Sequence, residues 1–284
     1  MKIIVMPKVG FCYGVERSIT LTKELSHNDF PKPYYLLGML VHNDIVNNDL
    51  INHGFKILNS PDEIDNIFEG TLVSTAHGLR DDLKDKINKK NLPIIDTTCP
   101  IVLNNNRKIL KYYQEGYSVI YIGKHNHQES NVIKEYIHLI ENINDINNLN
   151  ITNNNIVLTN QTTMSIYDID NLSKVVLDKY PNTIIDTIIC PATKERQDTL
   201  IKELEKHHDI NDYWIIIGDK KSNNTNKLVE IVKNITNNYY FIDNKNDVNK
   251  INIQEDYNFY ITSGTSTPNN VIEEIIEELK KNSI

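Results

Sequence analysis

The chain has 284 residues, a formal net charge of −8 and no block of basic residues, so a nucleic-acid-binding surface is not expected. No apolar run approaches the ~18 residues of a membrane span, and the few apolar residues before Pro7 are too short for a signal peptide. Three scattered cysteines do not make a secreted disulfide framework, so we expect a cytoplasmic protein, with an organellar origin and a removed transit peptide left open.

The predicted elements repeat three times along the chain. Each unit opens with a short apolar strand, a cysteine and a helix, and the cysteines lie 87 and 91 residues apart, at Cys12, Cys99 and Cys190. A second strand ends in glycine ahead of a polar cluster that opens a helix, at Gly38, Gly123 and Gly218. The near-regular spacing indicates an internal repeat.

Each unit closes with a short helix and a last strand. The short helix begins at a Ser or Asn N-cap and carries acids in its first turn, where they favour the helix dipole. The three short helices are predicted at Ser60–Ile67, Asn142–Leu149 and Asn244–Ile251. The last strand leads into a hydroxyl-rich turn. Four landmarks in the same order favour a threefold repeat over the alternative, three α/β units that are similar by chance.

Strands that alternate with helices predict an α/β fold with mainly parallel sheets and right-handed crossovers. We predict three similar domains around a pseudo-threefold axis. The polar clusters fall at strand carboxyl ends, the edge at which open α/β sheets bind ligands. Packing about such an axis would bring the three cysteine turns together.

Three converging thiolates would form a metal site, because helix N-termini stabilise thiolate. Zinc would accept three cysteines and a fourth ligand or water. An iron–sulfur cluster usually takes four cysteines, so three would leave one iron open. The residues alone leave iron, zinc and three buried structural cysteines as alternatives.

Polar residues predicted at helix starts suggest a phosphate or diphosphate site, because helix N-termini bind anions. Each of these residues alone is more often a helix cap or a surface residue. The candidates are His42, His77, His127, Ser222, Asn224 and Ser266. The remaining histidines are interpreted as ordinary surface or capping residues: His27, His53, His125, His138, His207 and His208.

Glu129 lies two residues after His127 at a predicted helix start. It is either an acid that favours the helix dipole or a proton donor whose pKa is raised by burial and by a nearby anion. Thr162 and Thr163 could relay a proton or merely cap the helix predicted near Ser165.

The chain closely resembles the family of 4-hydroxy-3-methylbut-2-enyl diphosphate reductases, which act last in the non-mevalonate isoprenoid pathway. The resemblance spans nearly the whole chain. It is carried, in order, by the motifs "GFCYGV", "VHN", "AHG", "DTTCP", "HQE", "QTT", "CPATKERQ", "SNNTN" and "TSGTSTP".

The resemblance implies three α/β domains around a central [4Fe–4S] cluster. Their predicted ranges are 13–98, 99–189 and 190–284, with the N-terminal strand 1–12 joining the third domain. The cluster would be held by Cys12, Cys99 and Cys190, with one open iron for the substrate's hydroxyl.

The resemblance also implies an iron–sulfur reductase that takes two electrons from a ferredoxin or flavodoxin. It would convert an allylic diphosphate, (E)-4-hydroxy-3-methylbut-2-enyl diphosphate, to isopentenyl and dimethylallyl diphosphate. Glu129 would deliver the proton that turns hydroxide into water, with Thr162 in support and His127 beside it. The diphosphate would be held by His42, His77, Ser222, Asn224 and Ser266.

Three positions depart from the family's usual motifs. Gln128 replaces a proline, which removes no functional group. Asn223 replaces a serine, so its backbone N–H is expected to face the phosphate while a side-chain contact is in doubt. Pro191 follows Cys190, where the family often has tyrosine or another residue, and it suits a first helical turn.

Two other functional classes remain as alternatives. One is a non-catalytic redox sensor or phosphometabolite-binding protein, which would not need Glu129 paired with Thr162. The other is a zinc hydrolase that acts on a phosphorylated small molecule, which iron and sulfide analysis would separate from an iron–sulfur enzyme.

Overall fold

The computed structural model describes residues 1–25 and 29–282. Over these ranges the strands are β1 (Lys2–Val5), β2 (Tyr34–Leu36), β3 (Phe55–Ile57), β4 (Thr71–Val73), β5 (Ile94–Ile95), β6 (Ser118–Ile122), β7 (His138–Ile140), β8 (Ile156–Asn160), β9 (Ile184–Ile185), β10 (Asp212–Ile217), β11 (Tyr239–Ile242) and β12 (Asn258–Ser263).

The helices of the same ranges follow the strands in regular alternation. They are α1 (Tyr13–Glu24), α2 (Asp44–Asn52), α3 (Asp81–Lys89), α4 (Pro100–Gln114), α5 (Gln128–Val132), α6 (Ile143–Asn148), α7 (Ile166–Lys179), α8 (Pro191–Lys206), α9 (Asn223–Lys233) and α10 (Asn269–Lys281). Short 3₁₀ helices occur at Pro61–Asn66, Lys134–Tyr136 and Lys245–Lys250.

The strands of the described residues form three four-stranded sheets in which every neighbouring pair is parallel. Their orders are β3-β2-β4-β5, β7-β6-β8-β9 and β11-β10-β12-β1. Each sheet thus has the same topology, and its last strand precedes a cysteine. The predicted α/β fold with three similar parallel sheets is confirmed.

The N-terminal strand completes the third sheet, although the two are far apart in the sequence. β1 pairs with β12 in a parallel register that runs from Lys2 opposite Asn258 to Val5 opposite Ile261. β5 and β9 occupy the equivalent edges of the other two sheets. The turns of Cys99 and Cys190 therefore follow the edge strand of the preceding repeat's sheet, and the turn of Cys12 follows the edge strand of the third sheet.

The described residues divide into two compact units. The first unit contains residues 1–15, 42–46 and those from 191 onwards, and the second contains 16–41 and 47–190 within the described ranges. The predicted domain ranges 13–98, 99–189 and 190–284 stay a prediction.

Both faces of the third sheet are buried, as a parallel sheet between helices requires. Alternate residues of β10 and β12 point to opposite faces. One face packs Ile215 and Ile261 against α10, and the other packs Trp214 and Tyr260 against α8 and α9. In the second unit, β6 and β8 are likewise covered by α7 on one face and by α4 on the other.

The three predicted short helices are present with the predicted N-caps. Ser60 and Asn142 each form a capping box with an acid three residues later, and the Asn244 side chain accepts from the N–H of Asn246. The first and third are 3₁₀ helices and the second is α6. The Asn-rich stretch around α6 is therefore structured, because its side chains satisfy the backbone donors of the first turn.

Among the described residues, no helix combines the length and the apolar character needed to cross a membrane.

Candidate functional site

The three cysteines occupy equivalent turns between a strand and a helix. Each is the residue directly before α1, α4 or α8. The backbone N–H of Cys12 donates to the carbonyl oxygen of Thr265 at 3.0 Å. Those of Cys99 and Cys190 donate to the carbonyl oxygens of Ala76 and Thr162, each at 2.9 Å.

These backbone bonds fix each cysteine to the turn that follows the neighbouring strand of its sheet. All three side chains are partly exposed rather than packed in a core, which argues against a purely structural role. Thiolate sulfur is a preferred ligand of soft metals and of iron–sulfur clusters. The residues present therefore fit the cluster that the family resemblance implies, while zinc fits the same donors.

The Glu129 carboxyl group is held by a single residue in the second unit. The Thr162 hydroxyl donates to Glu129 Oε1 at 2.9 Å, and the Thr162 backbone N–H donates to Oε2 at 3.0 Å. Both residues are 2% exposed. Since the carbonyl of Thr162 also accepts from Cys190, one residue connects the carboxyl group to a cysteine turn.

Burial raises the pKa of Glu129 to about 7, although the two bonds from Thr162 act to lower it. Removing a carboxylate from water disfavours its charged form, and here that effect is larger than the hydrogen bonds. A carboxyl group with this pKa exchanges its proton near neutral pH. That property is required of a general acid and not of an exposed helix-capping acid.

His127 is the N-cap of α5, and its Nδ1 accepts from the backbone N–H of Glu129 at 3.1 Å. A neutral imidazole that accepts at Nδ1 carries its proton on Nε2. The His77 ring meets that of His127 edge to face, with centroids 5.3 Å apart. The structure thus brings His77 and His127 together, with His127 anchored beside Glu129.

In the first unit, Ser222 and Asn224 organise the start of α9. Ser222 is its N-cap, with Oγ accepting from the N–H of Thr225 at 3.3 Å. The Asn224 amide donates to Thr193 Oγ1 at 3.0 Å and accepts from the N–H of Thr265 at 3.1 Å. Asn223 is the first residue of the helix and is 8% exposed.

Ser266 and His42 meet in the same unit. Ser266 Oγ donates to the carbonyl oxygen of His42 at 3.2 Å. Burial lowers the pKa of His42, and nearby Lys221 lowers it further, against an opposing effect of Asp219. Burial therefore favours the neutral imidazole, which can act as a hydrogen-bond donor.

Two of the predicted helix starts are wrong in detail. His77 lies in a tight turn after β4 that the N–H of Gly78 closes on the carbonyl of Thr75, while α3 begins at Asp81. Ser266 lies in the turn before α10, which begins at Asn269. Gly78 adopts a φ of +102°, which permits the tight turn and delays the helix. His77 and Ser266 nevertheless lie shortly after the ends of β4 and β12, as predicted.

Several residues that hold the candidate side chains in place are not among the predicted site residues. Thr193 and Thr265 flank Asn224, and Arg196 reaches the turn before Cys12. All three lie in the family motifs "CPATKERQ" and "TSGTSTP", but only the fold reveals their partners. Of the histidines interpreted as ordinary, His53, His125, His138 and His208 are exposed, His207 is partly buried, and His27 lies outside the described residues.

Replacing Ser222 with alanine separates its capping role from a role in binding. We expect the variant to lose about 1 kcal/mol of stability as the cap is lost. If Ser222 also binds the diphosphate that the sequence predicts, loss of that hydrogen bond should raise KM roughly 10- to 100-fold. The matched control is Ser60→Ala, which removes another N-cap and should change stability alone. Equal KM values in the two variants, measured beside thermal unfolding, would reduce Ser222 to a cap.

A family model described as LytB protein matches residues 3–280. A protein of Halalkalibacterium halodurans named 4-hydroxy-3-methylbut-2-enyl diphosphate reductase is 33% identical to this chain over 290 residues. The match covers 99% of this chain and 91% of the relative. A Bacillus cereus protein of the same name is 35% identical and covers 99% of this chain and 90% of its own.

Solved structures give the same result. The reductase of Plasmodium falciparum, described as E-1-hydroxy-2-methyl-but-2-enyl-4-diphosphate reductase, superposes with a TM-score of 0.87 at 28% identity. The match covers 97% of this chain and 87% of that one. Because the family model and these relatives span almost its whole length, the chain belongs to the LytB family of 4-hydroxy-3-methylbut-2-enyl diphosphate reductases.

Proposed function

We propose that the chain converts (E)-4-hydroxy-3-methylbut-2-enyl diphosphate to isopentenyl and dimethylallyl diphosphate, the last step of the non-mevalonate pathway. The reaction breaks the bond between carbon and the terminal hydroxyl. It consumes two electrons and two protons and releases one water. Protonation at either end of the resulting allylic anion gives the two products. The names of the relatives support the substrate and the reaction class.

The observation that carries the proposal is the buried Glu129 carboxyl group with a pKa of about 7. A leaving hydroxide needs a proton, and a group that is half protonated at neutral pH can donate one. Thr162 orients both carboxyl oxygens, so the proton leaves from a fixed position. A binding protein or redox sensor has no need of this pair.

Cys12, Cys99 and Cys190 would hold a [4Fe–4S] cluster. Such a cluster, when bound, supplies electrons one at a time, and a ferredoxin or flavodoxin would in turn provide them. Equivalent backbone anchoring of the three cysteines supports a shared ligand role. A cytoplasmic location and the domain ranges 13–98, 99–189 and 190–284, with strand 1–12 joined to the third, belong to the same proposal.

The diphosphate would be bound mostly by uncharged hydrogen-bond donors. We assign this role to His42, His77, Ser222, Asn223, Asn224 and Ser266. His127 and Thr162 would bind the substrate beside Glu129, near the reacting end. His42 would donate as a neutral imidazole, since burial lowers its pKa, and His127 would donate from Nε2. Ser222 and Asn223 lie at the N-terminus of α9, whose first N–H groups favour an anion.

The test is an anaerobic assay of reconstituted protein with a reduced viologen and the hydroxylated diphosphate. We expect both five-carbon diphosphates as products, and iron and acid-labile sulfide in a cubane ratio. Tightly bound zinc with phosphate release would instead support a hydrolase. A loaded cluster without turnover would support a sensor.

A further inference from the structure

Each cysteine turn is held at a second point, two residues before the cysteine. The backbone N–H of that residue donates to a buried polar side chain at the end of the neighbouring strand, which is β4, β8 or β12. The three bonds are Thr97 N–H to Ser74 Oγ at 2.9 Å, Ile188 N–H to Asn160 Oδ1 at 2.9 Å and Gly10 N–H to Ser263 Oγ at 2.8 Å. The three accepting residues are all 0% exposed.

The same short segment also accepts from the cysteine itself. In every turn, the carbonyl that accepts from the cysteine N–H belongs to the residue two positions after the polar side chain. These residues are Ala76 after Ser74, Thr162 after Asn160 and Thr265 after Ser263. Two backbone N–H groups of each turn are therefore bound to one segment, with the same spacing at all three cysteines.

The side-chain bonds lie beyond the backbone pairing of the sheets. In all three sheets the last paired residue of the edge strand precedes the donor residue. In the first sheet the pairing ends at Val73 opposite Ile95. The Thr97 N–H then donates to the Ser74 hydroxyl, while the Ser74 carbonyl accepts from the Thr97 hydroxyl at 2.7 Å. A side chain thus takes over where the chain leaves the sheet for the cysteine.

Two of the accepting residues hold their turn with more than one bond. Ser74 Oγ donates to Asp96 Oδ1 at 3.0 Å, and the same oxygen accepts from the Thr98 N–H at 2.9 Å. The Asn160 amide donates to the carbonyl oxygen of Ile188 at 2.8 Å, so it binds both backbone groups of that residue. Removing either side chain would leave backbone groups of the turn without their partner, which favours opening of the turn.

We propose that Ser74, Asn160 and Ser263 are positioning residues for the iron–sulfur cluster, each holding the backbone turn that carries one cysteine. The inference rests on the proposed function, since it requires a cluster on the three cysteines. Groups that orient metal ligands strengthen binding of the metal without touching it. A fixed turn therefore slows the loss of iron, because an opened turn lets its thiolate leave.

The experiment compares three alanine variants with one control. Ser74→Ala, Asn160→Ala and Ser263→Ala each remove one acceptor and leave every cysteine in place. The matched control is Thr71→Val, which removes another buried hydroxyl from the opposite end of β4. Thr71 is 0% exposed, and its Oγ1 donates to the carbonyl oxygen of Pro31 at 2.7 Å, far along the strand from the cysteine turn.

The first readout is the rate of iron loss to a chelator from the anaerobically reconstituted proteins. We expect each alanine variant to lose iron several-fold faster than the unmodified protein. Thr71→Val should lower the unfolding temperature about as much as Ser74→Ala and still lose iron at the wild-type rate. The second readout is amide hydrogen exchange of the cluster-free proteins, which should quicken in each alanine variant at its own cysteine turn.

A wild-type rate of iron loss in either Ser74→Ala or Ser263→Ala overturns the inference. Equally fast iron loss in Thr71→Val also overturns it, because the effect would then be lost fold stability. If circular dichroism shows that Asn160→Ala does not fold, the two serine variants decide the result. Failure of the proposed function looks different, because the unmodified protein would then take up no cluster at all.

Discussion

Replacing Cys99 with serine should prevent stable cluster assembly and reduce turnover to background. Serine is close to cysteine in size, and the Cys99 contact to Ala76 uses the backbone N–H, so the turn should keep its position. What changes is the donor, because a serine hydroxyl is far harder to ionise than a thiol and is a poor ligand for soft metals. Iron and sulfide content after anaerobic reconstitution, with the absorption spectrum, measures the loss.

Pro100→Ala is the matched control for Cys99→Ser. It alters the first residue of α4 and leaves the thiol unchanged, so it should retain the cluster. Cys12→Ser and Cys190→Ser should behave like Cys99→Ser, because all three residues are anchored in the same way. Full activity with an intact cluster in any of the three serine variants would contradict the assignment of that cysteine as a ligand.

Features with a local physical cause could be predicted from the sequence. Ser60 and Asn142 were predicted as N-caps because the first turn of a helix leaves N–H groups that a short polar side chain can satisfy. Alternating strands and helices predicted parallel sheets because a crossover helix joins parallel strands. That the N-terminal strand joins the third sheet, where β1 pairs with β12, was implied by the family resemblance and not by a local pattern.

Features that depend on distant partners could not be predicted in this way. The contacts of Asn224 with Thr193 and Thr265 join three segments of the chain, and nothing in the "SNNTN" motif specifies them. The sequence predicts a helix start at His77, because the tight turn that the N–H of Gly78 closes resembles a helix start in the sequence. The sequence leaves Glu129 with two alternatives, a helix-start acid or a buried acid with a raised pKa, and its burial is a property of the folded second unit.

Replacing Glu129 with glutamine should lower kcat roughly 100- to 10,000-fold, the usual contribution of a general acid. Glutamine has nearly the same shape and can still accept a hydrogen bond from Thr162, so cluster content and substrate KM should change little.

Unmodified enzyme should lose activity about tenfold per pH unit above pH ~7, as the donor loses its proton. Steady-state kinetics over pH 5.5–9 would measure both effects, with exposed Glu135→Gln as the matched control. Near-normal turnover in Glu129→Gln would remove this residue as the proton donor.

The same substitution tests the pKa of Glu129 without reference to catalysis. The folded chain holds the proton more tightly than the unfolded chain, because burial raises the pKa from an ordinary 4.5 to about 7. The resulting contribution to the free energy of unfolding is complete below pH 4.5 and is lost as the pH rises through 7. A shift of this size corresponds to about 3 kcal/mol. Glu129→Gln lacks the titrating group. As the pH rises from 4.5 to 7.5, the cluster-free wild-type chain should therefore lose up to that amount of unfolding free energy relative to the cluster-free variant. Denaturation curves of both proteins at the two pH values would measure this change. If the difference in unfolding free energy between wild type and variant is the same at both, Glu129 does not titrate near pH 7.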